Sequence, residues 1–382
     1  MKIAFLTPEY PHSKTGTSGG IGTSIMNLAK GLADKGNAVF ILVYGQKQDF
    51  IFEENGIVFH GIKNVKLKGL SWYLTRKKIQ RLIDELYKSN KIEVVEAPDW
   101  TGITSFINSK CPIVIRQNGS DTYFCHLDKR KVKFINRFHE KRALERADAI
   151  ISVSRFTGTL TKELFGLKSD FTVIPNCIDT EFFKSPDTIT SDENPTILYF
   201  GSLIRKKGLL ELPHIFNSVI GHKPDARLIL AGKDVSDIIS GNASTWEMMQ
   251  ALFSEKAFAN VDYLGAVDYK LIREYILDAG ICVFPSFAEA LPVSWLEAMA
   301  LKKAVVTSNI GWAPEIINDG TDGFLVDPTD HITYAERIVT LLNDKELLKG
   351  MGEKAREKIV AEFSIAAITE TNMKFYSSVI NS

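Results

Sequence analysis

The sequence predicts an α/β protein built from two open-sheet domains in tandem, each with parallel strands and crossover helices. Three observations carry this. Short β-branched runs alternate with longer amphipathic stretches, the pattern of strands feeding helices that return over a parallel sheet. The periodicity lapses between Pro175 and Pro195, where Asp, Thr, Ser, Asn and Pro dominate, and then restarts. A chain of 382 residues is also too long for one ordinary core and suits two domains of roughly 150–200 residues.

In the first half, strands are expected at Lys2–Leu6, Ala38–Tyr44, Ile92–Glu96, Pro112–Arg116, Ala149–Val153 and Phe171–Ile174. A helix over Ile21–Lys35 is stopped by Gly36, which supplies the left-handed cap conformation, and another runs over Phe134–Ala147. After the lapse, strands are expected at Thr196–Phe200, Arg227–Ala231, Val261–Leu264, Ile281–Phe284, Ala304–Thr307 and Gly323–Val326. Charged helices follow over Tyr334–Asn343 and Lys345–Phe363, with a last one near Ala366–Val379. The expected domains are therefore 1–175 and 195–364, joined by a linker over 176–194. Two such sheets imply a ligand cleft at the carboxyl ends of their strands.

Composition narrows the function. Forty-six basic and 46 acidic residues give a formal charge of zero, so no global charge calls for nucleic acid. The 45% hydrophobic and 24% charged content is that of a folded protein. Cys111, Cys125, Cys177 and Cys282 are scattered, with no CxxC pair and no zinc-ligand spacing, which points to a reducing compartment. Cys282 lies in the apolar run Ile281–Phe284 and reads as core. The apolar stretch before Thr7-Pro8 is too short for a signal peptide and reads as a buried strand. No run approaches the ~20 apolar residues that cross a bilayer. A cytoplasmic protein is expected, with peripheral contact at the inner membrane face left open.

Three segments carry chemistry, each with a plainer reading beside it. Ser18-Gly19-Gly20-Ile21-Gly22 opens a helix, where bare backbone can approach an anion. The alternative is a flexible surface loop. A dinucleotide fold is disfavoured, since the loop from Thr7 to Gly19 is long and strand two ends in Tyr44-Gly45-Gln46 without an acid. Gly201-Ser202-Leu203-Ile204-Arg205-Lys206-Lys207-Gly208 sets three cations at a strand–helix junction, suited to a departing diphosphate. The alternative is a solvated basic turn. Phe287–Ala300 places Glu289 on a loop and Glu297 more than a turn into a helix that Pro292 helps to start. A loop carboxylate, N–H groups near Leu291–Ser294 and a helical carboxylate could grip sugar, phosphate and ribose. Two ordinary surface glutamates are the alternative.

Glu289 and Glu297 form the E-x7-E pattern of retaining glycosyltransferases with the GT-B fold, and EALPVSWLEAMA resembles glycosyltransferase family 4. The same family is resembled, in order, by the SGGIG loop, ERADAIISVS (Glu145–Ser154), IPNCID (Ile174–Asp179), the YFGS…KKG turn (Tyr199–Gly208), LAGK, and GWAPEIINDGTDGFLVDP (Gly311–Pro328). The resemblance spans nearly the whole chain. It implies a GT-B-like fold: two Rossmann-like parallel-sheet domains facing each other across a cleft, the first for the acceptor and the second for a nucleotide-sugar donor. A C-terminal helix, 365–382, would pack back on the first. It also implies roles. Lys207, with Arg205, would neutralise the donor diphosphate, helped by backbone at Leu291, Pro292 and Val293. Glu289 would touch the donor sugar and Glu297 the ribose hydroxyls. Gly19 and Gly20 would approach the phosphates, and Lys233 and Gly265–Val267 would flank the base. No cofactor and no metal are expected.

Four positions depart from the family pattern: Ser202 stands where Arg is frequent and Asn118 where His precedes Gly, both still expected to bind the donor, with Cys177 where Gly is common and Lys302 where Gly usually follows the EAMA helix. Lys129, Arg130, Lys131, Lys133, Arg137, Lys141, Arg142 and Arg146 crowd a helix carrying Phe134, Ile135 and Phe138. Such a helix suits an anionic membrane surface; the other reading is a solvated face whose apolar residues pack inward. The expected function is hexosyl transfer, with retention, from a nucleotide sugar to a glycan, lipid-linked or small-molecule acceptor in polysaccharide or glycoconjugate synthesis. A sugar-phosphate synthase or phosphorylase of the same fold is the alternative, and a non-catalytic nucleotide-sugar binding protein a further one.

Overall fold

The structure, a computed structural model, describes residues 1–16, 18–186 and 195–382. It divides into two units, Met1–Cys177 with Ser364–Ser382, and Ile178–Phe363.

The first unit contains the strands Lys2–Thr7 (β1), Ala38–Gln46 (β2), Phe50–Glu54 (β3), Ile57–Lys63 (β4), Val94–Pro98 (β5), Ile113–Gln117 (β6), Ala149–Ser152 (β7) and Thr172–Val173 (β8). They lie in the order β3-β4-β2-β1-β5-β6-β7-β8, parallel except where β3 meets β4. Its helices are Gly20–Asp34 (α1), Ser71–Lys88 (α2), Asp121–Leu127 (α3), Phe134–Glu145 (α4) and Arg155–Phe165 (α5). β1 shows why the sheet is continuous in apolar residues. Ile3 and Phe5 join Ile25, Leu28, Ala29 and Leu32 of α1, whereas Ala4 and Leu6 join Ile79 and Ile83 of α2. Alternate residues point to opposite faces, and helices cover both. Each such Ile, Leu or Phe side chain contributes about 1.5–3 kcal/mol by leaving water.

The antiparallel pair β3–β4 lies where the sequence pattern places no strand. Its turn is Asn55-Gly56, with φ of 51° and 74°. Both residues are left-handed, the conformation a two-residue hairpin with the native twist requires. Strand β5 begins at Val94 and not at Ile92, because Ile92 is buried ahead of the sheet ladder.

The second unit contains Thr196–Phe200 (β9), Arg227–Ala231 (β10), Val261–Tyr263 (β11), Ile281–Phe284 (β12), Ala304–Ser308 (β13) and Phe324–Val326 (β14). Its order, β11-β10-β9-β12-β13-β14, is the Rossmann arrangement, with the direction of winding reversing between β9 and β12. The helices are Leu212–His222 (α6), Thr245–Gln250 (α7), Glu255–Phe258 (α8), Tyr269–Asp278 (α9), Val293–Ala300 (α10), His331–Asn343 (α11) and Lys345–Lys358 (α12).

Residues 178–186, expected in the linker, belong to this second unit. Arginine side chains fix them: Arg356 donates to the carbonyls of Thr180 and Phe183, and Arg273 to those of Phe182 and Lys184. The rest of the expected linker, 187–194, lies outside the described residues. The helix expected to run to Phe363 changes at Ile359–Phe363 into a π-helical turn, after which Ser364 caps Ile365–Ile380 (α13). That helix returns to the first unit and packs on α1 so closely that a β-carbon at Gly31 would strike Thr369 and Ile365. Among the described residues no helix is long and apolar enough to cross a membrane.

Candidate active site

The turn after β9 is shaped by its glycines. Gly208 adopts φ 73°, and a β-carbon there would collide with the carbonyl of Pro285, so the turn lies directly on the exit of β12. The N–H groups of Phe287 and Ala288 both donate to the carbonyl of Lys206, at 2.8 and 3.2 Å. This clamp sets the loop after β12 beside the basic turn. Lys207 Nζ consequently stands 3.1 Å from Glu289 Oε1, with both side chains largely buried. The pair occupies the carboxyl ends of β9 and β12, the switch point where open α/β sheets bind ligands.

Helix α10 begins just beyond. Pro292 is its N-cap, with extended backbone, and Leu291 before it is buried. The N–H groups of Val293 and Ser294 stand in the first turn, where no preceding helical carbonyl can accept them. Glu297 sits deeper in α10 and is 4% exposed. Burial pushes its carboxyl up to about 7, against the hydrogen bond from Tyr269 and the charge of Lys207. Tyr269 Oη donates to Glu297 Oε1 at 2.7 Å.

Arg205 does not join Lys207. Its Nε and Nη2 donate to Asp237 Oδ1 and Oδ2 at 2.9 and 2.7 Å. Those bonds, with others from Ser240, hold the Asp237 carboxyl well below the usual range. Ser202 is exposed, and its carbonyl accepts from Tyr199 Oη at 2.9 Å. Lys233 is exposed, and its carbonyl accepts the N–H of Leu203, tying the loops after β9 and β10 together.

Three predicted residues belong to the first unit. Gly19 caps α1 and Gly20 opens it, but a carboxylate of the chain itself already faces this helix start: Gly22 N–H donates to Glu9 Oε1 at 3.1 Å. Asn118 is half-buried at the exit of β6, and its N–H donates to Asp99 Oδ1 at 3.0 Å. Asp99 is wholly buried at the exit of β5. Desolvation, reinforced by the Glu140 charge, pushes it up to about 8 against the hydrogen bond from Asn118. Its Oδ2 has no hydrogen-bond partner. Glu9, Asp99, Asp237 and Tyr269 carry no motif. Each is recruited through space, so the sequence pattern passes over them.

Phe134, Ile135 and Phe138 of the basic helix do not pack inward. Phe134 is 82% exposed, and Ile135 and Phe138 are exposed too. His139, Glu140, Ala143 and Leu144 turn to the core instead, with Glu140 accepting the N–H groups of Asp121 and Thr122 at the start of α3. Arg142 and Arg137 reach the carbonyls of Ser105 and Leu164, whereas Lys129, Lys131 and Lys133 remain exposed.

Residues 18–182 match the family described as Glycosyltransferase Family 4, and residues 181–358 match the family described as Glycosyl transferases group 1. An alpha-maltose-1-phosphate synthase of Mycolicibacterium smegmatis is 30% identical over 264 residues, 64% of this chain and 67% of the relative. Among solved structures, the sucrose-phosphate synthase of Thermosynechococcus elongatus superposes with a TM-score of 0.81 at 19% identity, over 100% of both chains. The Anabaena protein HepE, in complex with UDP and glucose, gives a TM-score of 0.76 at 20% identity over 99% of this chain and 100% of that one. These likenesses give the fold as GT-B.

Proposed function

Because the chain belongs to glycosyltransferase family 4, we propose that it moves a hexosyl group from a nucleotide sugar to a hydroxyl acceptor with retention of anomeric configuration. The observation that carries this is the Lys207–Glu289 pair at the switch point of the second sheet, next to the buried Glu297. The bond from the anomeric carbon to the diphosphate breaks, and its electron pair leaves on the phosphate oxygen. Lys207 neutralises that charge with backbone N–H groups at the start of α10. The acceptor hydroxyl attacks from the same face, and its proton passes to the leaving phosphate oxygen. Glu289 orients the donor sugar and Glu297 takes the ribose hydroxyls. With Arg205 committed to Asp237 and Ser202 uncharged, the neutralising role falls on Lys207. No metal takes part in this scheme.

The variants that test it are Lys207→Ala and Glu289→Ala, compared for nucleoside diphosphate affinity and turnover with excess EDTA present. Loss of the Lys207 contact to a developing anion should cost about 2–4 kcal/mol in the transition state. Glu289→Ala should lower kcat more than affinity. NMR of the product reads the anomeric configuration. Wild-type turnover in Glu289→Ala, or an inverted product, would overturn the reading.

The name of one similar protein, an alpha-maltose-1-phosphate synthase, favours a second reading, synthesis of a sugar phosphate. An acceptor panel of free sugars, sugar phosphates, inorganic phosphate and lipid-linked saccharides separates the two. For a lipid-linked acceptor, the exposed Phe134, Ile135 and Phe138 with Lys129, Lys131 and Lys133 support contact with an anionic inner membrane face. The protein is then expected to sediment with anionic but not neutral vesicles, and salt should release it. Equal indifference to both vesicle types would remove the membrane from the proposal.

A further inference from the structure

We propose that Tyr269 is a positioning residue which turns Glu297 into a reader of the ribose diol, and so sets a preference for ribonucleoside over deoxyribonucleoside diphosphates. This rests on the reading of Glu297 as the ribose contact. Tyr269 opens α9, whose Ile272 and Ile276 are buried and whose Arg273 donates to the carbonyls of Phe182 and Lys184 at 2.9 and 2.8 Å. The ring stacks against Phe182 at 6.5 Å and meets Phe183 edge-on at 6.2 Å. Both the helix and the ring are thereby fixed before any ligand arrives.

The phenol spends its proton on Glu297 Oε1, whereas Oε2 takes no hydrogen bond among the described residues. What remains is a pair of acceptors in fixed relation: Oε2 of the carboxylate and the lone pairs of the phenol oxygen. Two vicinal hydroxyls, each with a proton to donate, match that pair. A single hydroxyl leaves one acceptor of the pair unmet, and a dideoxyribose leaves both. The tyrosine therefore acts twice, by stopping Glu297 from rotating and by supplying the second acceptor. The charged and titratable groups bearing on the pair are Lys207 from the turn after β9, which favours the carboxylate, and Asp179, which acts on the phenol.

The test uses the full chain and isothermal titration with UDP, GDP and ADP, followed by the 2′-deoxy and 2′,3′-dideoxy forms of the tightest binder. Tyr269→Phe keeps the ring contacts with Phe182 and Phe183 and removes only the hydroxyl. It should bind the ribonucleotide about tenfold more weakly, the effect of a lost polar contact beside a charged group, and the dideoxynucleotide as well as wild type does. Because an ionised carboxylate accepts a ribose hydroxyl's hydrogen bond more strongly than a protonated one, wild-type affinity should fall as pH drops through about 7. In Tyr269→Phe that limb should move upward, since the donor that steadies the carboxylate is gone. Equal losses for ribo- and dideoxynucleotide, or an unmoved pH limb, would make Tyr269 a packing residue and overturn the proposal. A ribose preference abolished by Glu297→Gln but intact in Tyr269→Phe would overturn the role of Tyr269 alone. A full preference in Glu297→Gln would remove Glu297 from the ribose, and this inference with it.

Discussion

Glu96 in the first unit and Glu297 in the second are alike in burial, each 4% exposed, and each accepts from a tyrosine, Tyr376 at 2.6 Å and Tyr269 at 2.7 Å. Their remaining company differs. Arg116 closes on Glu96 with two bonds, Nε to Oε1 at 2.7 Å and Nη2 to Oε2 at 2.9 Å, and Nη1 reaches the carbonyl of Ile174. Arg116 also bonds Asn372, so the cluster ties β5 and β6 to α13. Among the described residues no cation bonds Glu297; the nearby Lys207 is engaged by Glu289. A buried carboxylate with every oxygen met is a fastening. One left half-met keeps an acceptor available, which is what the proposed ribose contact uses.

The comparison breaks first at Arg116. Arg116→Met leaves Glu96 buried without its cation and should cost about 3–5 kcal/mol of stability. Urea denaturation measures it, and nucleoside diphosphate affinity of the folded fraction should be unchanged. Adding Glu96→Gln should return much of the loss, because the stranded charge is then gone. A loss under about 1 kcal/mol in Arg116→Met would mean that the cluster fastens nothing.

Glu297→Gln should do the opposite, weakening nucleotide binding while raising stability at neutral pH. The sign follows from the raised carboxyl, about 7 when folded against an ordinary 4.5. Below about pH 4.5 both states hold the proton and there is no penalty. Between there and about 7 the folded state holds it more tightly, so wild-type stability falls as pH rises, on the order of 3 kcal/mol in full. Glutamine does not titrate. The gap between variant and wild type should therefore widen from pH 5 to pH 8, and a constant gap would sink the assignment.

A smaller change serves as a control on both. Lys302 holds φ 60° just past the end of α10, the left-handed position that suits glycine. Lys302→Gly should stabilise by about 0.5–1 kcal/mol, since a side chain there crowds its own backbone. Denaturation should detect that gain, with nucleotide affinity and its pH dependence untouched.

Much of the fold was legible because central strands of parallel sheets are apolar on both faces. Thr196–Phe200, Arg227–Ala231 and Ile281–Phe284 are read with their ends in place. The hairpin β3–β4 was harder. Phe50–Glu54 is largely exposed and ends in two glutamates, so only Asn55-Gly56 announced it. Lys207, Glu289 and Glu297 stood out because glycines, a proline and strand ends fix them locally. The partners that decide their behaviour did not. Asp237 is 32 residues from Arg205 and Tyr269 is 28 from Glu297, distances that only the folded sheet removes.

The return of α13 to the first unit makes the second unit an insertion within the first. During synthesis, residues 178–363 can fold as soon as they emerge, whereas the earlier 1–177 must wait for 364–382. Until then Arg116 and Glu96 lack Asn372 and Tyr376, and the surface of α1 around Gly31 lies open. The unit begun first is thus completed only after the second has emerged, and its exposure to chaperones and proteases is greatest in that interval.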